Sequence, residues 1–228
     1  MCALSSTAER RRGNGRGPCA AVAALGIAIA CLSGCGDGAS GQREIEIDLL
    51  REFDVSKHVN RGNATLDDGL YFTAIRGACQ ACFPQFDPPD QYDLQVDVIR
   101  EGESGAVVIG LYAWGQQCRV VLDQPTDAGP LTGLAPLDGK WPDQEGYPNP
   151  LSGGVLAAGE PSTVLCQVRR DTLVVQCNQV VIINLNRETA VLGKLSRFEI
   201  PHEKALSVGT LHGMARITRM VVRTLPAS

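Results

Sequence analysis

The chain has 228 residues, a formal net charge of −4 at pH 7 and an apolar share of 44 %. That share supplies a packed core and excludes the disordered class, and the length suits one domain or two. The basic cluster Arg10 to Arg12 with Arg16 lies ahead of an apolar run rather than in the folded part, so the charge footprint of a nucleic-acid-binding protein is missing.

Pro18 to Leu32 is almost wholly apolar. The run is short for a spanning helix but has the length and basic flank of a signal-peptide core. Gly13-Asn14 follows the arginines, where a twin-arginine signal would carry apolar residues. The run ends in Leu32-Ser33-Gly34-Cys35, which resembles the lipobox of bacterial lipoproteins: a branched apolar residue, two small residues and a cysteine whose thiol takes diacylglycerol. Two acyl chains anchor stably where one does not. The expectation is a signal peptide over 1–34, lipidated Cys35 with a flexible tether over 35–43, and one domain over 44–228. That domain would be extracytoplasmic, with the membrane of a bacterial cell envelope as a partner through its lipid anchor.

Glu44-Ile45-Glu46-Ile47-Asp48 opens the domain. Period-two spacing puts its carboxylates on one face, as in the carboxylate strand of some jelly-roll glycosidases. Its place directly after the tether favours a solvated face on an edge segment. Tyr92 to Val98 alternates cleanly, with Tyr92, Leu94, Val96 and Val98 on one face and Asp93, Gln95 and Asp97 on the other. Gly105 to Trp114 and Gln117 to Asp123 read as a hairpin turning at Gly115-Gln116 in a type II′ turn, with Tyr112 opposite Arg119, Leu111 opposite Val120 and Ile109 opposite Leu122. Gln124 to Pro161 holds seven prolines and reads as long loops around one short strand. Thr163 to Arg169 and Thr172 to Cys177 form a second hairpin at Arg170-Asp171, with Val164 opposite Cys177. Val180 to Leu185, Ala205 to Leu211 and Ala215 to Thr224 are further strands. Many short strands joined by turns predict an all-β, two-sheet antiparallel sandwich.

Several pieces, in order, carry a resemblance. They are Leu49-Leu50 before Asp54, Pro88 to Leu94, Val120 to Asp123, Gly133-Leu134 leading to Leu137-Asp138-Gly139-Lys140, Leu206 to Gly209 and Arg216 to Val222. From about Leu49 to Leu225 the chain resembles bacterial concanavalin A-like (laminin-G-like) jelly-roll domains related to the 3-keto-disaccharide hydrolase family. The resemblance implies two curved antiparallel sheets face to face and a carbohydrate context, either binding or hydrolysis. It brings no catalytic set, because no catalytic motif of that family is matched.

Two surfaces are candidates for ligand binding. One is the outer face of the central hairpin, with Tyr112, Trp114, Arg119 and Asp123, neighboured by Asp93, Gln95 and Asp97. The other is the loop from Asp138 to Asn149, where Trp141 and Tyr147 could stack on a sugar and Asp138, Asp143 and Asn149 could hydrogen-bond it. In both, the aromatics could instead shield the sandwich edge.

Cys79-Gln80-Ala81-Cys82 has metal-like spacing, but a tetrahedral site needs four ligands and His58, His202 and His212 are scattered. No metal site is expected there. In an oxidising compartment a disulfide among Cys79, Cys82, Cys118, Cys166 and Cys177 is the expected use, with free core cysteines as the alternative. No cofactor is expected, and calcium on loop aspartates stays open. Three readings follow: a non-catalytic lipoprotein domain binding a glycan or an envelope protein, a glycoside hydrolase, and a purely structural envelope protein.

Overall fold

The structure, a computed structural model, describes residues 45–74, 76–193, 200 and 202–225. The signal peptide, Cys35, the tether and Glu44 lie outside the described residues. Gly41–Ser228 groups as one compact unit. Its main core is built from its own strands.

The strands in chain order are β1 (Ile45–Asp48), β2 (Val59–Arg61), β3 (Ala64–Asp67), β4 (Gly69–Thr73), β5 (Ala78–Phe83), β6 (Tyr92–Glu101), β7 (Ala106–Ala113), β8 (Gln116–Gln124), β9 (Leu131–Ala135), β10 (Leu151–Ser152), β11 (Pro161–Val168), β12 (Thr172–Cys177), β13 (Val180–Asn186), β14 (Leu206–Leu211) and β15 (Met214–Thr224). One helical turn, α1 (Val55–His58), precedes β2 and is capped by the Asp54 side chain. One sheet runs β13-β12-β11-β6-β15-β4-β3, with β1 also on β15, and the other runs β10-β9-β8-β7-β14-β5-β2. All strand pairings are antiparallel. This is the two-sheet antiparallel sandwich expected from the strand pattern, in the jelly-roll form that the resemblance implies. Among the described residues no helix is long and apolar enough to cross a membrane.

Alternation decides which residues meet between the sheets. Tyr92, Leu94, Val96 and Val98 of β6 are buried, and so are Ile109 and Leu111 of β7, Cys118 and Val120 of β8, and Val164 and Cys166 of β11. A one-residue slip of any of these strands would turn its apolar set to water. The second hairpin has the expected register, Val164 opposite Cys177 and Val168 opposite Leu173. Its turn is closed by Arg169 N–H donating to the Thr172 carbonyl at 2.9 Å.

The central hairpin differs from expectation. Its turn is Trp114-Gly115, both with positive φ, 55° and 82°, the pattern of a type I′ turn. Tyr112 lies opposite Gln117, Gly110 opposite Arg119 and Ile109 opposite Val120. The register is thus two residues away from the predicted one. A two-residue shift keeps every side chain on its face, so apolar parity was satisfied by either register and left the turn undecided. The left-handed geometry at Trp114 is held in part by its indole N–H, which donates to the Arg169 carbonyl at 3.0 Å.

The sheets also separate two groups expected to be neighbours. β6 belongs to the eight-stranded sheet and β7 and β8 to the seven-stranded one. The Asp93, Gln95 and Asp97 face therefore lies on the opposite side of the sandwich from the outer face of β7–β8.

Candidate functional site

A cleft of about 290 Å³ opens where the edge strand β13 of one sheet approaches β9 of the other. The Asp138 to Asn149 loop closes one side and the turn after β13 closes the next. This volume sits at the low end of the range for small-molecule sites.

Local turn chemistry places its polar groups. Leu137 and Lys140 exchange backbone hydrogen bonds of 3.0 and 2.9 Å across Asp138-Gly139. Both central residues have positive φ, 51° and 75°. This is the Asp-Gly form of a type I′ turn, and it leaves the Asp138 side chain exposed at the cleft. Asn149 also has positive φ, 48°, a conformation asparagine tolerates better than most residues. On the far wall, the Asn186 carbonyl accepts from Ala190 N–H at 3.0 Å and from the Thr189 hydroxyl at 3.2 Å, setting Thr189 and Ala190 at the cleft. Asn184 joins from β13 and Thr132 from β9.

Tyr147 forms an apolar wall. Its ring lies over Gly133, where a Cβ would collide with it. Its hydroxyl donates to the Leu134 carbonyl at 2.7 Å. Burial pushes its pKa up to about 12, so it stays a neutral donor. Three of the sequence-selected residues, Asp138, Tyr147 and Asn149, thus meet at one cleft. Thr132, Ile182, Asn184 and Thr189 were missed, because they come together only through the approach of two sheet edges.

The other selected residues have different surroundings. Trp141 is 4 % exposed and packs on Val108, Val121, Ala135 and Leu211, so it shields the outer face of the seven-stranded sheet rather than offering a stacking surface. Arg119 is 2 % exposed on that same face, and burial pulls its pKa down to about 10, which still leaves it cationic at neutral pH. Asp123 is buried too. Its φ of 58° marks the bulge of β8 against β9. Its carboxylate accepts from Val155 N–H at 2.8 Å and Leu156 N–H at 3.0 Å, and it pairs with Arg100 of β6 at 3.1 Å. Asp123 therefore clasps the two sheets and the loop after β10. Tyr112 stays half-exposed with the Lys204 ammonium 5.7 Å from its ring centroid, and Trp114 is half-buried at the hairpin tip. Asp143 is exposed in the same loop as Trp141.

The five described cysteines are all buried and free, which corrects the expected disulfide. Cys79 faces the main core while Cys82 packs on Ile200 and Ala205 outside the sheet. In a strand, positions three apart point to opposite faces, so the Cys-x-x-Cys of β5 can form neither a bridge nor half of a metal site. Among the described residues no three His, Cys, Asp or Glu side chains gather to hold a metal.

Three carboxylates of the eight-stranded sheet are already partnered. Glu46 of edge strand β1 accepts from Arg223 at 2.9 Å and Arg219 at 3.2 Å, as a solvated edge face would. Asp93 pairs with Arg169 at 2.7 Å, and Asp97 accepts from Thr163 at 2.8 Å. Asp93 and Asp97 share a face of β6 but stand roughly 13 Å apart along it, wider than a glycosidase pair.

No known family model matches this sequence, and no curated protein matches it. Solved structures do match in fold. The Crh5 transglycosylase in complex with NAG superposes with a TM-score of 0.53 at 10 % identity, over 79 % of this chain and 83 % of that one. The metal-free Emp46p carbohydrate recognition domain gives 0.51 at 13 % identity, over 77 % and 94 %. The Ca2+/Man3GlcNAc-bound VIP36 exoplasmic/lumenal domain gives 0.50 at 9 % identity, over 76 % and 88 %. At these identities the likeness is one of fold.

Proposed function

We propose that the domain is a non-catalytic glycan-binding module held outside the cytoplasm by a lipid on Cys35, and that the cleft between β9 and β13 is its site. The observation that carries this reading is the cleft's lining. A carboxylate, two carboxamides and a hydroxyl, from Asp138, Asn149, Asn184 and Thr189, surround a wall that includes Tyr147, Leu137 and Ile182. Sugars offer hydroxyls for such polar groups and C–H faces for such a wall. The recurrence of this sandwich in a carbohydrate recognition domain and in a domain bound to Man3GlcNAc adds support. The partnered state of Glu46, Asp93 and Asp97 supports binding over hydrolysis. A hydrolase of the 3-keto-disaccharide type would need a free acid and base on either side of a bound sugar.

The test is a glycan array probed with the Gly41–Ser228 unit, followed by a hydrolysis assay on every hit. Binding without turnover is expected. Turnover of a bound glycan would replace this reading with the hydrolase, and an empty array would remove it. Labelled palmitate entering the full chain, but not its Cys35→Ala variant, tests the anchor.

A further inference from the structure

Exposed apolar side chains neighbour the residues that line the cleft. Among the described residues six large apolar side chains are exposed, and four of them are close chain or cross-strand neighbours of lining residues: Leu151, Val180, Val181 and Val191. Leu151 of β10 is the cross-strand partner of Thr132, which lines the cleft. Val180 and Val181 lead directly into Ile182 of the lining. Val191 follows Ala190, and its carbonyl accepts from Asp138 N–H at 2.9 Å. Two of these valines are more exposed than any other large apolar side chain described, Val180 at 64 % and Val191 at 67 %. Scattered single apolar residues need no explanation, but a group around the mouth of a polar cleft does.

The charge of the lining narrows the ligand. Among the described residues Asp138 is its one ionisable carboxylate, and no described lysine, arginine or histidine lines it. The nearby Lys140 ammonium is turned to the Gly146 carbonyl at 3.0 Å. A uronate or sulfated sugar would meet a carboxylate with no cation to offset it. From these two features we infer that the ligand is an amphiphile, with an uncharged sugar that enters the cleft and an attached apolar chain that lies on the Leu151, Val180, Val181 and Val191 rim. This rests on the glycan reading of the cleft and adds the class of glycan. A second copy of the chain fits the rim less well. Ile182 is an extra residue in β13, bulged against β12 between Val175 and Gln176, and a bulge twists an edge strand away from pairing with another strand.

The experiment titrates the Gly41–Ser228 unit with methyl and hexyl β-glycosides of glucose, galactose, mannose and N-acetylglucosamine below their micelle concentrations, beside methyl glucuronide. Each methylene taken up by the rim strengthens binding about fourfold. A hexyl glycoside seated with only two of its methylenes buried should therefore bind more than tenfold tighter than its methyl counterpart, and methyl glucuronide should bind worst. In a Leu151→Ser, Val180→Ser, Val181→Ser variant the hexyl-to-methyl ratio should fall towards one while the methyl glycoside binds as before. Equal methyl and hexyl affinities, or a ratio that survives in the variant, overturn the amphiphile and leave the glycan reading standing. If no glycoside binds, both fall. Sedimentation adds a further check: a dimer dispersed by the same substitutions would assign the rim to a second copy instead.

Discussion

Tyr92 and Tyr112 are joined across the sandwich, one on each sheet. The Tyr92 hydroxyl accepts from the Tyr112 N–H at 3.1 Å and donates to the Tyr112 carbonyl at 3.0 Å. Tyr92 is fully buried, and burial holds its pKa well above the ordinary tyrosine value, so the hydroxyl keeps its proton. Removing it would leave a strand N–H and C=O without this partner inside the protein. Tyr92→Phe should cost about 1–3 kcal/mol, read as a lower urea midpoint at unchanged m-value. An unchanged midpoint would mean that water or a backbone shift replaces the hydroxyl.

A second clasp between the sheets is ionic. The Asp123 side chain is inaccessible, and its partner Arg100 is nearly so. Breaking one side of such a pair strands a buried charge, so Asp123→Ala should cost about 3–5 kcal/mol. It should also free the loop carrying Val155 and Leu156, whose N–H groups Asp123 accepts. Hydrogen exchange at those two amides should rise along with global destabilisation. Protection unchanged at both would show that the loop is held by something else.

The contrast between these clasps and the cleft shows what the sequence can disclose. Parity placed Tyr92, Val164 and Cys166 on core faces, because period two admits one buried set for each strand. It left the β7–β8 register free to move by two residues. It could not disclose the bulge of β8 that turns Asp123 towards Arg100 of the other sheet, and it left Arg119 looking solvent-facing, since an outer sheet face is polar only if nothing covers it. Here Trp141, Ile200 and Ala205 pack on it. Asp138 and Asn149 were legible because they stand as polar groups beside Trp141 and Tyr147 in one proline-rich loop. Asn184 and Thr189 were not, because the meeting of β9 and β13 is a property of topology. The same difference settles the tryptophans. Trp141→Ala, which removes a buried indole, should destabilise by about 3–5 kcal/mol in thermal or urea melts. A fold that tolerates the change would return Trp141 to the list of ligand contacts.

Cysteine chemistry gives an independent check of the core. Burial pushes Cys82 up to about 11, Cys118 up to about 12 and Cys166 well above the ordinary thiol value. Thiolates are the reactive form, so these groups should resist a disulfide reagent at pH 8 in the folded Gly41–Ser228 unit. In urea all five thiols of that unit should react. Three reactive thiols rather than five would reveal a disulfide.

Acid should act on the cap of α1. The Asp54 carboxylate is held down to about 2, first by the Ser56 hydroxyl at 2.7 Å and then by Lys57 at 3.1 Å. A carboxylate with a depressed folded pKa contributes stability that is complete above its unfolded value, about 3.9, and is lost as pH falls through the folded value. The stability difference between the wild type and Asp54→Ala should therefore be full above about pH 4 and shrink towards pH 2. The side chain is 41 % exposed at the surface, so the difference belongs to the small class of surface contributions. A difference that grows as pH falls would contradict the cap.

The cleft itself is tested by filling it and by changing its charge. Asn184 is exposed on edge strand β13 and lines the cleft, so a larger side chain there obstructs the site without entering the core. Asn184→Trp should weaken a bound glycan at least tenfold, about 1.4 kcal/mol, while the melting temperature moves by only about 2 °C, as for an ordinary surface substitution. Asp138→Asn is the complementary change. Asparagine before glycine suits the same type I′ turn, so the loop should keep its shape while the carboxylate is lost. A hydrogen bond to a charged group contributes about 1.5–3 kcal/mol, so affinity should fall roughly tenfold to a hundredfold if Asp138 holds a sugar hydroxyl. Calorimetric titration reads both variants, and a thermal melt of each separates binding from folding. Should both bind as tightly as the wild type, the glycan sits elsewhere, and the half-exposed Tyr112 under Lys204 becomes the next surface to probe.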